Sequence, residues 1–358
     1  MKKLILLACL FTNAIFAQIQ FEQTLTETFN KAKKENKGVF IEFYNETCHH
    51  CQRVQPILAS KEVGDVYNKT FVSYKINTFN GLTEEEEDFL KKHKLFFTDV
   101  PNFVYFDKNE NFLHYTTGKP EKNFIINLAT DAFNPQVQAS KLGERVKNGD
   151  KSLATLYQYS ALAQLNQDKA LADEIADMLY NSFNKNQLGN DTSYIILKNA
   201  VFTTNNGFYT YWVNNLNKLK GLDSGQLKNN EVDILKNIIS IDLTDPNFKW
   251  TPQSFEQLKK YMLATGYTSK PENILVSKRV EFFDAKNPSK EINSYFEGIL
   301  KDNAYELEDK VYILGALNSE LKNKQAKKEI TKFADLLLKQ AKTANDADAI
   351  AQLENIKK

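Results

Sequence analysis

Cys48-His49-His50-Cys51 places two thiols three residues apart with two imidazoles between them, and no other stretch of the chain concentrates side chains so suited to chemistry. Four chemistries use such groups: a metal clamp, a haem attachment site, a structural disulfide and a redox-active dithiol. Covalent haem attachment requires histidine directly after the second cysteine, and Gln52 stands there. A structural zinc site gathers about four ligands into a tetrahedron, normally as two separated pairs. Four consecutive residues cannot wrap one ion without strain, and His93 and His114 are isolated in the sequence. No metal or other cofactor is therefore expected, and metal handling by the Cys48–Cys51 stretch, copper included, is the weaker alternative. A disulfide across two intervening residues removes little chain entropy, because that stabilisation grows with loop length.

What the spacing supports is a reversible redox pair. At a helix N-terminus, Cys48 faces unpaired backbone N–H groups and the positive end of the dipole, which favour its thiolate. That thiolate attacks a substrate disulfide, and Cys51, one turn inward, resolves the mixed disulfide. His49 and His50 would supply hydrogen bonds or positive charge beside the thiolate, lowering its pKa and making the disulfide more oxidising.

The elements that must hold these residues can be read around them. Glu22 to Lys37 patterns as a helix closed by Gly38, and "VFIEFY" (39–44) as a buried strand interrupted by Glu42. Cys48 opens a helix that carries Pro56. "FVSYKIN" (71–77) is a second strand, and "EEEEDFLKKHK" (84–94) a helix with an acidic first turn and a basic last turn, its glutamates a solvated start. "NFVYF" (102–106), "DKNEN" (107–111) and "FLHYT" (112–116) form a hairpin, and a last helix ends near Phe133. This alternation predicts an α/β sheet with helices on both faces. After Asn134-Pro135 cysteine and histidine disappear and helical periodicity takes over, with stripes such as Leu153, Leu156, Tyr157, Ala161 and Ala326, Ile330, Phe333, Leu337, Ala341. An all-α region, a helical bundle or short α-solenoid, is expected over 135–358, with Trp212 and Trp250 in its core.

Beyond the cysteines, the first part resembles the thioredoxin family. Glu42 lies six residues before Cys48, Pro56 eight after it, Lys75-Ile76-Asn77 ends a strand, Val100-Pro101-Asn102-Phe103-Val104 precedes a turn, and Gly118 precedes the last helix. Within the family it looks most like the periplasmic domain of transmembrane thiol:disulfide interchange proteins and their secreted relatives. The resemblance implies an α/β thioredoxin-like domain over 18–134, a Cys48–Cys51 disulfide in the oxidised form, a cis Val100–Pro101 bond shaping a substrate groove, and a proton relay at Glu42. An unpaired charge at Glu42 would be costly to bury, so its pKa should be raised; a carboxylate held by Lys75 or turned to solvent is the structural alternative, and an ordinary trans proline is the alternative at Pro101. Thr47 replaces the usual tryptophan before the first cysteine, and His49-His50 the usual dipeptide. Together with Val100 and Lys75 these positions are expected to tune the site, and they leave direction open between reductase, oxidase and isomerase.

Residues 1–17 read as a secretory signal: Lys2-Lys3, an apolar run, and Ala17 before Gln18. A lipoprotein site at Cys9 is the less favoured reading. Export to a bacterial periplasm or envelope follows, where disulfides persist. No later run has the length of a membrane span, and 46 basic against 45 acidic residues give no field for nucleic acid. The expected function is a protein thiol–disulfide oxidoreductase whose partners are protein thiols and disulfides and a redox partner protein, with the helical region as a docking or dimerisation surface. The alternative is a binding or scaffold protein whose helical region carries the function beside a vestigial or metal-handling domain.

Overall fold

β-Branched and aromatic residues at nearly every position make β1 (Gly38–Tyr44) a strand that can be buried on both faces, and it forms the centre of the sheet. The computed structural model describes residues 18–219, 221–222, 230–285, 289–322 and 324–357; the expected signal segment, with Cys9, lies outside the described residues. Four strands run in the order β2-β1-β3-β4, where β2 is Phe71–Asn77, β3 Asn102–Phe106 and β4 Phe112–Thr117. β1 pairs parallel with β2 and antiparallel with β3, and β3 pairs antiparallel with β4.

Alternation along β1 builds two cores. Val39, Ile41 and Phe43 face α1 (Leu25–Glu35) and α4 (Glu84–His93), meeting Phe29 and Phe89. Phe40 faces α2 (His49–Leu58), α3 (Lys61–Thr70) and α5 (Lys122–Asp131) through Val54, Tyr67 and Ile125. Helices thus cover both faces, as the alternation predicts. The separate helix α3 was not legible; it begins at Lys61 after Ala59-Ser60. The acidic run of α4 also differs from a fully solvated start. Glu86 is buried, closes a capping box with Thr83 and accepts a hydrogen bond from Tyr74 Oη at 2.9 Å.

The first unit extends through Asn184, so the composition change at Asn134 falls inside it. Beyond that point come α6 (Leu142–Lys147), α7 (Leu153–Leu165) and α8 (Lys169–Ser182). Leu142, Leu162 and Leu165 join the core on the Ile41 face, while α7 also packs along α8. Being covered on two sides explains why α7 has apolar residues around its whole circumference. Ala139 N–H donates to His114 Nδ1 at 3.0 Å, and Phe96 N–H to the Leu165 carbonyl at 2.9 Å.

In the second unit, Lys185–Lys358, the described elements are all helical: α9 (Asp191–Ala200), α10 (Gly207–Val213), α11 (Asn230–Thr244), α12 (Pro252–Thr265), α13 (Pro271–Ala285), α14 (Ser289–Lys301), α15 (Leu307–Glu320), α16 (Lys324–Ala344) and α17 (Ala347–Ile356). α13 packs on α15, α14 on α16, and α16 on α17. Trp212 is fully buried in the core, whereas Trp250 is half-buried and stacks on Phe255 with centroids 4.7 Å apart. The Ala326, Ile330, Leu337, Ala341 stripe is buried, with Phe333 at its margin. Among the described residues, no helix is long and apolar enough to cross a membrane.

Candidate active site

The strand β1 ends at Tyr44, and the chain turns through Asn45-Glu46-Thr47 before Cys48 caps α2. Asn45 Oδ1 organises that turn by accepting from both the N–H and the hydroxyl of Thr47, each at 2.8 Å. Cys48 is the N-cap residue of α2, and its sulfur accepts from Cys51 N–H at 3.3 Å. The Cys48 thiol donates to the Val100 carbonyl at 3.4 Å, and the following Val100–Pro101 bond is cis. Cys48 is partly exposed, Cys51 only 1% exposed, and both stand as free thiols in this structure.

The two sulfurs are electrostatically unequal. Burial pushes the Cys48 thiol up, but the Cys51 thiol and the backbone N–H groups of Cys51 and His50 outweigh it and leave Cys48 below its ordinary range. Cys51 is pushed up to about 12, first by burial and then by its interaction with Cys48. The sulfur near the surface is therefore the more readily ionised, and the one behind it holds its proton.

Glu42 sits on the Phe40–Tyr44 side of β1, aligned with Lys75 on β2 and Phe103 on β3. Its side chain is wholly buried. Gln55 Nε2 donates to Oε1 at 2.6 Å, and Oε2 has no hydrogen-bond partner among the described residues. Burial raises the carboxyl to about 7, against the downward pull of the Gln55 hydrogen bond and the Lys75 charge. The alternative of a carboxylate held by Lys75 does not apply: the Lys75 ammonium lies over the rings of Phe21 and Tyr44, 5.4 and 5.5 Å from their centroids. Nor does Glu42 turn to solvent.

Residues 20–130 match the thioredoxin family model. This stretch is a thioredoxin domain, and it has an oxidoreductase-like site in which Cys48 and Cys51 lie close together. No curated protein matches the chain. Within the thioredoxin domain, Gly118 N–H donates to the Pro101 carbonyl at 2.9 Å. A Cβ on Gly118 would stand 2.9 Å from Phe103 Cζ and 3.1 Å from Pro101 Cγ, so the close approach itself requires glycine. Gly118→Ala should lower stability by about 2 kcal/mol, the usual scale of overpacking, seen as a fall in the urea midpoint.

His49 and His50 contribute less through their rings than the sequence suggests. Both are exposed, and Arg53, which can only donate, fills His50 Nδ1 at 2.6 Å. It is the His50 backbone amide that helps hold the Cys48 anion. Among the described residues, no group of three or more His, Cys, Asp or Glu side chains is arranged to hold a metal ion. Gln55, the hydrogen-bond partner of Glu42, was not singled out from the sequence. Its signal was its position: Cys48, Cys51 and Gln55 follow at i, i+3 and i+7 along one face of α2.

Proposed function

We propose that this protein is a thiol–disulfide oxidoreductase of the bacterial periplasm or envelope, acting on protein substrates through a mixed disulfide at Cys48. The observation that carries the reading is the placement of Cys48: an N-capping sulfur that accepts the Cys51 N–H, beside the Val100 carbonyl and the cis proline, with a buried, protonated Cys51 one turn behind.

In the reducing direction, the Cys48 thiolate attacks one sulfur of a substrate disulfide. A Cys48–substrate S–S bond forms, the substrate S–S bond breaks, and the departing substrate thiolate takes a proton from water. Cys51 then gives its proton to the Glu42 carboxylate and attacks the Cys48 sulfur. The Cys48–Cys51 bond forms as the second substrate thiolate leaves, so two electrons pass from the dithiol to the substrate. The oxidising direction runs the same steps backwards, and the partner with the lower reduction potential sets which prevails. A redox partner protein restores the starting form by the same exchange. Val100 and Pro101 border the groove for the substrate backbone, and Lys75 tunes Glu42 through its charge.

The apolar leader with Lys2-Lys3 supports export, and the Cys-free helical region supports a role in docking or dimerisation. The test is turnover of a disulfide-bonded protein in both directions with Cys48→Ser as control. Activity in the native protein and none in the variant is expected; native activity no greater than the variant's would remove the reading.

A further inference from the structure

The orphaned oxygen of Glu42 asks what keeps a buried carboxylate from turning that atom elsewhere. Among the described residues its side chain has one hydrogen-bond partner, Gln55, which lies two helical turns along α2 from Cys48 and one turn beyond Cys51. The bond is 2.6 Å, and an amide Nε2 can only donate, so it is strongest to an ionised carboxylate oxygen. Pro56 follows Gln55 directly and has no N–H to give to the Gln52 carbonyl, so the helix carries a built-in irregularity beside the Gln55 side chain.

The geometry points to Gln55 as a positioning residue for the exchange chemistry. By occupying Oε1 of Glu42, it leaves Oε2 as the open atom that takes the Cys51 proton when Cys51 attacks the mixed disulfide. The charged and titratable groups that bear on Glu42 are few. Lys75 on β2 acts on it through its charge, and Glu42 in turn acts on Tyr44 of β1 and Cys51 of α2. Gln55 contributes the remaining direct contact, and it favours the charged form of Glu42, the form able to accept a proton. The balance is simple: Cys51 S–H breaks, Glu42 Oε2–H forms, the Cys51–Cys48 bond forms and the Cys48–substrate bond breaks. This inference rests on the oxidoreductase reading.

Stopped-flow mixing of the reduced full-length protein with an aromatic disulfide separates the two steps, because attack by Cys48 and resolution by Cys51 each release one coloured thiolate. Gln55→Met, which keeps the volume and removes the donor, should leave the first phase unchanged across pH. It should move the midpoint of the second phase up by about one pH unit, so that below neutrality resolution slows about tenfold. In a Glu42→Gln background the same substitution should add nothing, since the contact acts only through that carboxylate. Equal second phases in native protein and Gln55→Met, equal slowing of both phases, or a persisting effect in the Glu42→Gln background would each overturn the role of Gln55. A native protein with no first phase would instead remove the oxidoreductase reading beneath it. Should Gln55→Met fail to fold, the unsubstituted protein still decides: the Gln55 side-chain amide resonances should titrate with the Glu42 carboxyl carbon, and amide shifts that stay constant through that titration would overturn the inference.

Discussion

Cys51→Ser should accumulate as a covalent adduct with a disulfide-bonded peptide at neutral pH, while Cys48→Ser forms none. The prediction follows from the inequality of the two sulfurs. Cys48 is held below the ordinary thiol range by hydrogen bonds that stabilise its anion, and two of those donors are backbone amides that a serine in place of Cys51 leaves intact. The hydroxyl that Cys51→Ser introduces can also replace the Cys51 thiol as donor to the Cys48 sulfur. Attack therefore continues in Cys51→Ser, but nothing remains to displace the captured peptide, and the mixed disulfide should approach one equivalent. In Cys48→Ser the remaining thiol is 1% exposed, and burial, the largest cause of its raised pKa, persists. At pH 7 such a buried thiol stays protonated, and the thiolate is the attacking species. The measurement is intact-protein mass after acid quenching. Adducts on Cys51 in the Cys48→Ser protein, or none on Cys48 in Cys51→Ser, would reverse the assignment of nucleophile and resolving sulfur.

The parts of this site that were legible share one property: each follows from local chain chemistry. The strand signal at 39–44, the helix opening at Cys48 and the hairpin at 102–116 depend on side-chain pattern and turn residues, and all appear within a residue of where the pattern puts them. Glu42 was legible because a lone carboxylate in an apolar strand can only be buried at a price in desolvation, and the structure buries it. Its partner was not legible. Whether Lys75 or Gln55 reaches a buried carboxylate depends on how α2 lies across β1, and Lys75 finds the rings of Phe21 and Tyr44 instead. The same limit explains the end of the first unit. Composition changes at Asn134, yet Leu142, Leu162 and Leu165 join the same core as Val39, Ile41 and Phe43, so the unit continues past it. Histidines between the cysteines suggested ring contacts with the thiolate; the helix instead directs the rings outward and uses the His50 amide.

The second large effect is on stability, where Glu42→Gln should make the protein progressively more stable than the native form as pH rises. Burial lifts the Glu42 carboxyl to about 7 from an ordinary 4.5. Between those values the folded state keeps a proton that the unfolded chain has released. Folding therefore binds protons there, and stability falls as pH rises through the window. The full loss is about 3 kcal/mol, reached above pH 7. Glutamine resembles the protonated acid in shape and charge, so the two proteins should differ little near pH 4.5 and diverge by that amount at pH 8. His114 acts with the opposite sign. Burial lowers it to about 4 from 6.5, so the unfolded chain binds the extra proton between those values and stability falls as pH drops. Protonation would also occupy Nδ1, the atom that accepts the Ala139 N–H. In the native protein the two slopes oppose each other between about pH 4.5 and 6.5. Removing the Glu42 slope should expose the His114 one: urea midpoints of Glu42→Gln should climb with pH across that interval, while native midpoints stay flatter. Parallel curves for the two proteins from pH 4.5 to 8 would show that Glu42 releases its proton in the ordinary carboxylate range, and would remove it as the acceptor for Cys51 near neutrality.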